Sequence, residues 1–252
     1  LCRSGRIVGV QSLFPASPNE LGDSDLVQLY AYPLERRWVR ANFVSTLDGA
    51  VQGLDLRAGS LSSPADHHLF ALLRSLCDVV VVGAHTTRVE GYQPVTEDEM
   101  NTAVRAELGL APVPSIAVVS RSLQLDPGLL RGGGAPTIVI TTAAAPADLR
   151  AGVEALATVV VAGERNVDLG AALDALAAMG LQRVLCEGGP SLMRDLVASG
   201  NLDELCLTLT PRISAGDALR LTHGAAVAPP AELRLRHLLE SDGELFCRYD
   251  RN

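Results

Sequence analysis

The sequence predicts an α/β fold with a mostly parallel central sheet, helices on both faces and an antiparallel C-terminal section. Three observations carry this expectation. Continuous apolar runs such as DVVVVG (78–83) and TVVVA (158–162) read as strands buried on both faces, because a half-solvated strand would alternate. Helically spaced segments separate these runs, and a helix between strands is the crossover that parallel pairing requires. Toward the end, strand-like runs at 204–210, 233–239 and 244–249 follow one another with no convincing helix between them, which favours antiparallel neighbours.

The elements follow in order. Residues 1–25 are rich in Pro, Ser, Gly and Asp and read as an arm or loop, leaving 26–252 as one domain. Residues 38–44 (WVRANFV) form the first expected strand. Ser62-Ser63-Pro64 opens a helix, with a capping serine, a proline in the first turn and Asp66 complementing the helix dipole. Leu69, Leu72, Leu73 and Leu76 supply its apolar stripe. Strands are then expected at 78–83, 116–120, 137–142, 158–162 and 183–187. The clearest later helix covers 169–179, with Asp168 as N-cap and Gly180 beyond its end.

Composition narrows the chemistry. Lysine is absent, so all 21 basic residues are arginine. That removes Schiff-base chemistry, a covalent pyridoxal site and the lysine of a P-loop. A phosphate would have to meet arginine, backbone N–H groups or hydroxyls. The net charge of −8 argues against a nucleic-acid surface. The five cysteines are scattered without a CxxC pair and read as buried thiols of a reducing compartment. His67 and His68 point about 100° apart on a helix, which disfavours a shared metal. No apolar run reaches membrane-spanning length and residues 1–25 show no signal-peptide pattern, so a cytoplasmic location is expected.

In open α/β sheets, ligands gather beyond the carboxyl ends of the strands. There the sequence offers Gly83-Ala84-His85-Thr86-Thr87, Ser120-Arg121, Thr141-Thr142 and Glu187-Gly188-Gly189-Pro190-Ser191. This set suits an elongated phosphorylated ligand such as a dinucleotide. A helix starting after Gly189 would turn free N–H groups toward a pyrophosphate, and Arg121 could grip a 2′-phosphate. Plainer readings stand beside these: a Gly-Gly turn is a tight turn, and Thr86 could cap a helix. No GxGxxG followed by an acidic residue is present, which disfavours a Rossmann site.

Four segments, in this order, resemble a known family: RANFVSTLDGA (40–50), LRSLCDVVVVGAHT (73–86), VLCEGGPSLM (184–193) and LDELCLTLTPRI (202–213). Together they resemble the reductase domain of riboflavin biosynthesis, the 5-amino-6-(5-phosphoribosylamino)uracil reductases, whose fold is dihydrofolate-reductase-like. The resemblance spans roughly residues 37–248. It implies an NADP-dependent oxidoreductase in which NADPH delivers hydride to C1′ of a phosphoribosylamino-pyrimidine, giving a ribityl product. It also implies a homodimer, for which the C-terminal strands could supply a pairing edge. The HxE and PCxxC motifs of the deaminase often fused to such reductases are missing, so a stand-alone reductase is expected.

By position, the resemblance assigns Gly188, Gly189, Pro190, Ser191 and Leu192 to the cofactor's pyrophosphate. Thr86 and Glu90 fall near the reacting centre, while Ser120, Arg121 and Ala162 fall at the adenosine end. Asn42, Asp48, Ser62, Arg74 and Glu187 fall on the substrate side, with Arg74 as the preferred ligand for the 5′-phosphate. Candidate proton donors are Asp48, Glu90 and Glu187, in that order. Asp48 reads equally as a turn residue before Gly49, and Arg74 as a partner in a surface salt bridge. Two departures matter. Asn42 stands where many members have lysine, and Glu90-Gly91-Tyr92 replaces a D-N-P or D-D-P element. Both leave open a shifted substrate, such as the aminated pyrimidine or a pterin. A pterin or dihydrofolate reductase and a catalytically silent NADP-binding protein are the rival functions.

Overall fold

Alternate valines of one short strand explain the layering. In β4 (Val79–Gly83), Val79 and Val81 enter one core while Val80 and Val82 face the opposite side. A strand buried on both faces needs helices on both, and the sequence provides them. The computed structural model describes residues 9–251 except 34 and 132. Cys2 and the first eight residues of the expected arm lie outside the described residues.

The chain runs β1 (Gln11–Phe14), β2 (Ala16–Glu20), α1 (Asp23–Leu29), β3 (Trp38–Thr46), α2 (Pro64–Leu76), β4, α3 (Ala84–Glu90), α4 (Thr102–Glu107) and β5 (Ser115–Val119). It continues through α5 (Pro127–Leu130), β6 (Ile138–Thr141), α6 (Ala147–Glu154), β7 (Thr158–Val161), α7 (Leu169–Ala178) and β8 (Arg183–Cys186). The last elements are α8 (Pro190–Ala198), β9 (Glu204–Thr210), β10 (Arg234–Ser241) and β11 (Glu244–Asp250). One sheet orders the strands β2-β1-β10-β11-β9-β3-β8-β4-β5-β6-β7. From β9 to β7 all pairs are parallel, and from β9 back to β2 all are antiparallel. This is the expected architecture, a mostly parallel sheet with an antiparallel section.

The helix signals are realised. Ser63 caps α2 by accepting from Asp66 N, with Pro64 in the first turn, and Asp168 caps α7 by accepting from Ala171 N. Leu69, Leu72, Leu73 and Leu76 enter one core with Val80 and Leu185, while Leu173 and Leu176 of α7 and Met193 and Leu196 of α8 enter the opposite one.

Two expectations need correction. The described part of the N-terminal segment is a hairpin and a helix, not a loop. β1 pairs antiparallel with β10, matching Gln11 to Glu240, and Leu26 of α1 is buried against Leu239 and Phe246. Pro15, Pro18 and Asn19 suppress the strand signal, yet an edge hairpin tolerates them because one side of its backbone needs no partner. The hairpin therefore covers β10, and the edge here is β2 rather than a C-terminal strand. β9 also belongs to both halves, being parallel to β3 on one side and antiparallel to β11 on the other.

A buried ionic cluster ties this junction. Arg40 of β3 and Arg248 of β11 each donate twice to Glu204 of β9, the shorter bonds being 2.6 and 2.9 Å, and Trp38 Nε1 is a third donor residue at 2.8 Å. Tyr30 and Tyr32 lie under the Arg40 guanidinium. Burial works to raise the Glu204 carboxyl, but the two guanidiniums outweigh it and hold the group at about 2. Planar, multidentate arginine suits such a site better than lysine would.

Candidate functional site

β8 lies between β3 and β4 although it follows both in sequence, so the crossovers diverge around its carboxyl end. Such a switch point opens a crevice in the sheet rim. The segment there is Glu187-Gly188-Gly189-Pro190. Glu187 N donates to Val81 O, and Gly83 N donates to Gly188 O at 2.7 Å, fastening the turn to β4. Gly188 adopts φ +89°, and a Cβ on it would stand 2.8 Å from Phe43 Cζ. A Cβ on Gly189 would stand 2.5 Å from Thr86 Oγ1. The glycines are therefore required by what packs on them, a phenylalanine from β3 and a threonine from α3. Pro190 occupies the first turn of α8, and Gly189 provides no side-chain cap. The N–H groups of Ser191 and Leu192 belong to that opening turn, where helical N–H groups lack intrahelical acceptors.

A cavity of about 720 Å³ opens beside this turn. α2 contributes Asp66, Phe70 and Arg74, spaced four residues apart along one side of the helix. β3 contributes Asn42 and Phe43, and the α3 segment adds Thr86, Glu90 and Tyr92. The strongest contact in the wall joins Arg74 to Glu187 through two hydrogen bonds of 2.7 Å. Tyr92 Oη donates to the same carboxylate at 2.5 Å, and burial with the adjacent Glu187 charge pushes its phenol well above the ordinary range. The Arg74 guanidinium also lies 4.3 Å from the Phe70 ring centroid. Behind it, buried Arg105 donates to the carbonyls of Arg74, Ser75 and Cys77, closing the C-terminus of α2. Cations at that end of a helix complement its dipole.

Of the residues singled out in the sequence, Asn42, Ser62, Arg74, Thr86, Glu90, Glu187, Gly189 and Pro190 line the cavity. Glu90 Oε1 accepts from Ala58 N at 2.8 Å, holding the loop after β3 against α3. Asp48 is exposed and stands outside the lining. Its carboxylate accepts from Thr46 Oγ1 and from the N–H groups of Ser214 and Ala215, and these bonds hold it at about 2. Asp48 thus staples the segment after β9 to the turn after β3. Ser120, Arg121 and Ala162 lie on the same rim farther along, after β5 and β7. Ser120 Oγ accepts from Leu123 N at 3.0 Å, Ala162 is buried, and exposed Arg121 donates to Asn166 Oδ1 at 3.2 Å. Gly188, Ser191 and Leu192 flank the cavity through the turn and α8. Sequence reasoning passed over Phe43, Phe70, Tyr92 and Arg105. The break in pattern at Gly91-Tyr92 was the available signal for Tyr92, and nothing local marked the others.

The family model for the RibD C-terminal domain matches residues 37–246. The chain belongs to this family. A reductase from Methanothermobacter thermautotrophicus, named 2,5-diamino-6-ribosylamino-4(3H)-pyrimidinone 5′-phosphate reductase, is 30% identical over 219 residues, covering 85% of this chain and 98% of the relative. A relative of the same name from Archaeoglobus fulgidus is 26% identical, covering 72% and 83%. Among solved structures, a pyrimidine reductase-like protein from Corynebacterium diphtheriae superposes with a TM-score of 0.78 at 28% identity, covering 89% of this chain and 97% of that one. The chain is thus a member of a reductase family of riboflavin biosynthesis. Among the described residues no helix is long and apolar enough to cross a membrane.

Proposed function

We propose that this chain is an NADPH-dependent reductase that opens the ribose of a phosphoribosylamino-pyrimidine to a ribityl chain. The observation that carries the reading is the cavity at the switch point, with a glycine turn and a helix start on one side and the Arg74–Glu187–Tyr92 group on the other. The names of the relatives support the substrate class. Four buried free thiols (Cys77, Cys186, Cys206 and Cys247) support a reducing, cytoplasmic setting, and a homodimer remains part of the proposal.

The turn fits the cofactor on this structure's own terms, because the close packing at Gly188 and Gly189 lets bare backbone border the cavity. Gly188, Gly189, Ser191 and Leu192 would hold the pyrophosphate, Thr86 the inner part, and Ser120 and Arg121 the adenosine end. NADPH, when bound, supplies the hydride.

The reaction forms a C1′–H bond, breaks C1′–O4′ and needs a proton on the departing oxygen. Positioning does most of the work in such a transfer. The Arg74–Glu187 pair, pinned by Tyr92 and stacked on Phe70, gives a fixed polar wall, and Asn42 offers both a donor and an acceptor. Among the three candidate acids, the structure favours Glu90. Asp48 is outside the cavity with its oxygens engaged, and both oxygens of Glu187 are engaged by Arg74. Among the described residues Glu90 accepts only through Oε1, from Ala58 N. Following NADPH absorbance with aminated and deaminated phosphoribosylamino-pyrimidines, and with dihydrofolate, tests the reading. Oxidation with neither pyrimidine would overturn it.

A further inference from the structure

Tyr92 and Arg74 give one wall of the cavity a fixed hydrogen-bond direction. Tyr92 Oη donates its single proton to Glu187 Oε2 at 2.5 Å. Burial, with the adjacent Glu187 charge, keeps that proton on the phenol. Toward a ligand the phenolic oxygen is therefore an acceptor and nothing else. Arg74 is the opposite. Its Nε and Nη2 are spent on the two oxygens of Glu187. Its Nη1 bonds to none of the described residues and is not an enclosed atom, so it offers N–H donors alone. Acceptor and donor are neighbours, because Tyr92 Oη and Arg74 Nη2 meet at the same oxygen, Glu187 Oε2, and both residues line the cavity.

The ion pair neutralises itself, so this wall suits an uncharged ligand group better than a dianion. A phosphate or a carbonyl brings acceptors only, and would set lone pair against lone pair at Tyr92 Oη. A ring amine could donate to Tyr92 but gives Arg74 Nη1 nothing to bond. A hydroxyl does both, donating to Tyr92 Oη and accepting from Arg74 Nη1. In a phosphoribosylamino-pyrimidine the uncharged hydroxyls belong to the sugar. Glu187 runs directly into the Gly188-Gly189 turn, so the wall stands beside the place where C1′ must receive hydride. The 2′-hydroxyl is on the carbon next to C1′.

We infer that Tyr92 is a specificity-determining residue, its Oη accepting a hydrogen bond from the ribose 2′-hydroxyl of the substrate while Arg74 Nη1 donates to the same hydroxyl. This rests on the reductase reading above and adds a residue to that same site. Tyr92 stands where the D-N-P or D-D-P element has its proline, so the resemblance gives it no role.

The test follows NADPH oxidation with the phosphoribosylamino-pyrimidine and with its 2′-deoxy counterpart, for the wild type and for Tyr92→Phe. Calorimetric titration with ribose 5-phosphate and 2-deoxyribose 5-phosphate gives a second readout that needs no turnover. The wild type is expected to favour the ribo form by about tenfold or more in both, the difference in turnover being carried by KM. Tyr92→Phe keeps the ring and leaves both Arg74–Glu187 bonds in place. It is expected to shrink that preference by about fivefold or more, through a loss on the ribo form alone. Tyr92→Leu serves the same comparison if Tyr92→Phe does not fold. Equal handling of the two forms by the wild type, or a preference unchanged in the variant, overturns the inference. Equal losses on both forms also overturn it, since Tyr92 would then act only by holding Glu187. Oxidation of NADPH with no pyrimidine sinks the reductase reading instead, and the sugar-phosphate titrations then decide the role of Tyr92 by themselves. Binding of neither sugar phosphate in that case overturns both.

Discussion

Arg74 and Glu187 meet edge to edge, with Nε and Nη2 each 2.7 Å from a different carboxylate oxygen. The residues are 113 positions apart, and the side chains are 12% and 2% exposed. Removing one partner of so buried a pair leaves an uncompensated charge. Glu187→Ala is expected to cost about 3–5 kcal/mol in urea unfolding. Replacing both, as Arg74→Met with Glu187→Leu, should return much of that stability while NADPH oxidation stays abolished. Full recovery of activity in the double variant would show that the pair serves the fold alone.

Gly189 and Thr86 make a second close pair. The Cβ of Gly189→Ala would lie 2.5 Å from Thr86 Oγ1, so the single variant should lower the melting temperature and weaken NADPH binding. Thr86→Ala removes that atom, and the double variant should regain most of the melting temperature. Gly188→Ala should resist rescue from Phe43, because φ +89° strains any Cβ-bearing residue.

Asp48 is expected to act through the segment it staples. Its carboxyl is lowered from the ordinary value to about 2, so its stabilisation is full above about pH 4 and is lost as pH falls through about 2. The stability difference between wild type and Asp48→Asn should therefore hold from neutral to about pH 4 and shrink toward pH 2. Asp48→Ala should speed protease cleavage within 213–232, and turnover at neutral pH should fall less than about tenfold. A larger loss of turnover without added cleavage would restore Asp48 as a proton donor.

His237 is buried edge-to-face against Tyr30, with ring centroids 4.7 Å apart, and among the described residues its Nε2 has no partner. Burial, aided by Arg248, lowers its pKa from 6.5 to about 4. The folded state thus binds the proton less readily than the unfolded chain. Stability is full above about pH 6.5 and falls as the pH drops toward about 4, by up to roughly 3 kcal/mol. His237→Phe keeps the ring and removes the titration, so its unfolding free energy should vary less over that interval. An unchanged slope would assign the acid sensitivity to other groups.

The sequence by itself determined the layering. Continuous valine runs marked β4 to β8 as strands, as a serine cap, proline and leucine stripe marked α2, but β7 is not buried on both faces as expected: it is the sheet's edge strand, with Val161 48% exposed. The motif segments also brought Arg74, Glu187 and the paired glycines into view. The hairpin of β1 and β2 was hidden, because its exposed edge imposes little pattern and depends on β10, more than 200 residues away. Side-chain partnership was hidden for the same reason. Asp48 reads as a turn residue or an acid until Ser214 and Ala215 arrive to bind it. Local sequence sets backbone preference and burial periodicity over a few residues. Which charges meet is decided when distant strands and helices pack together.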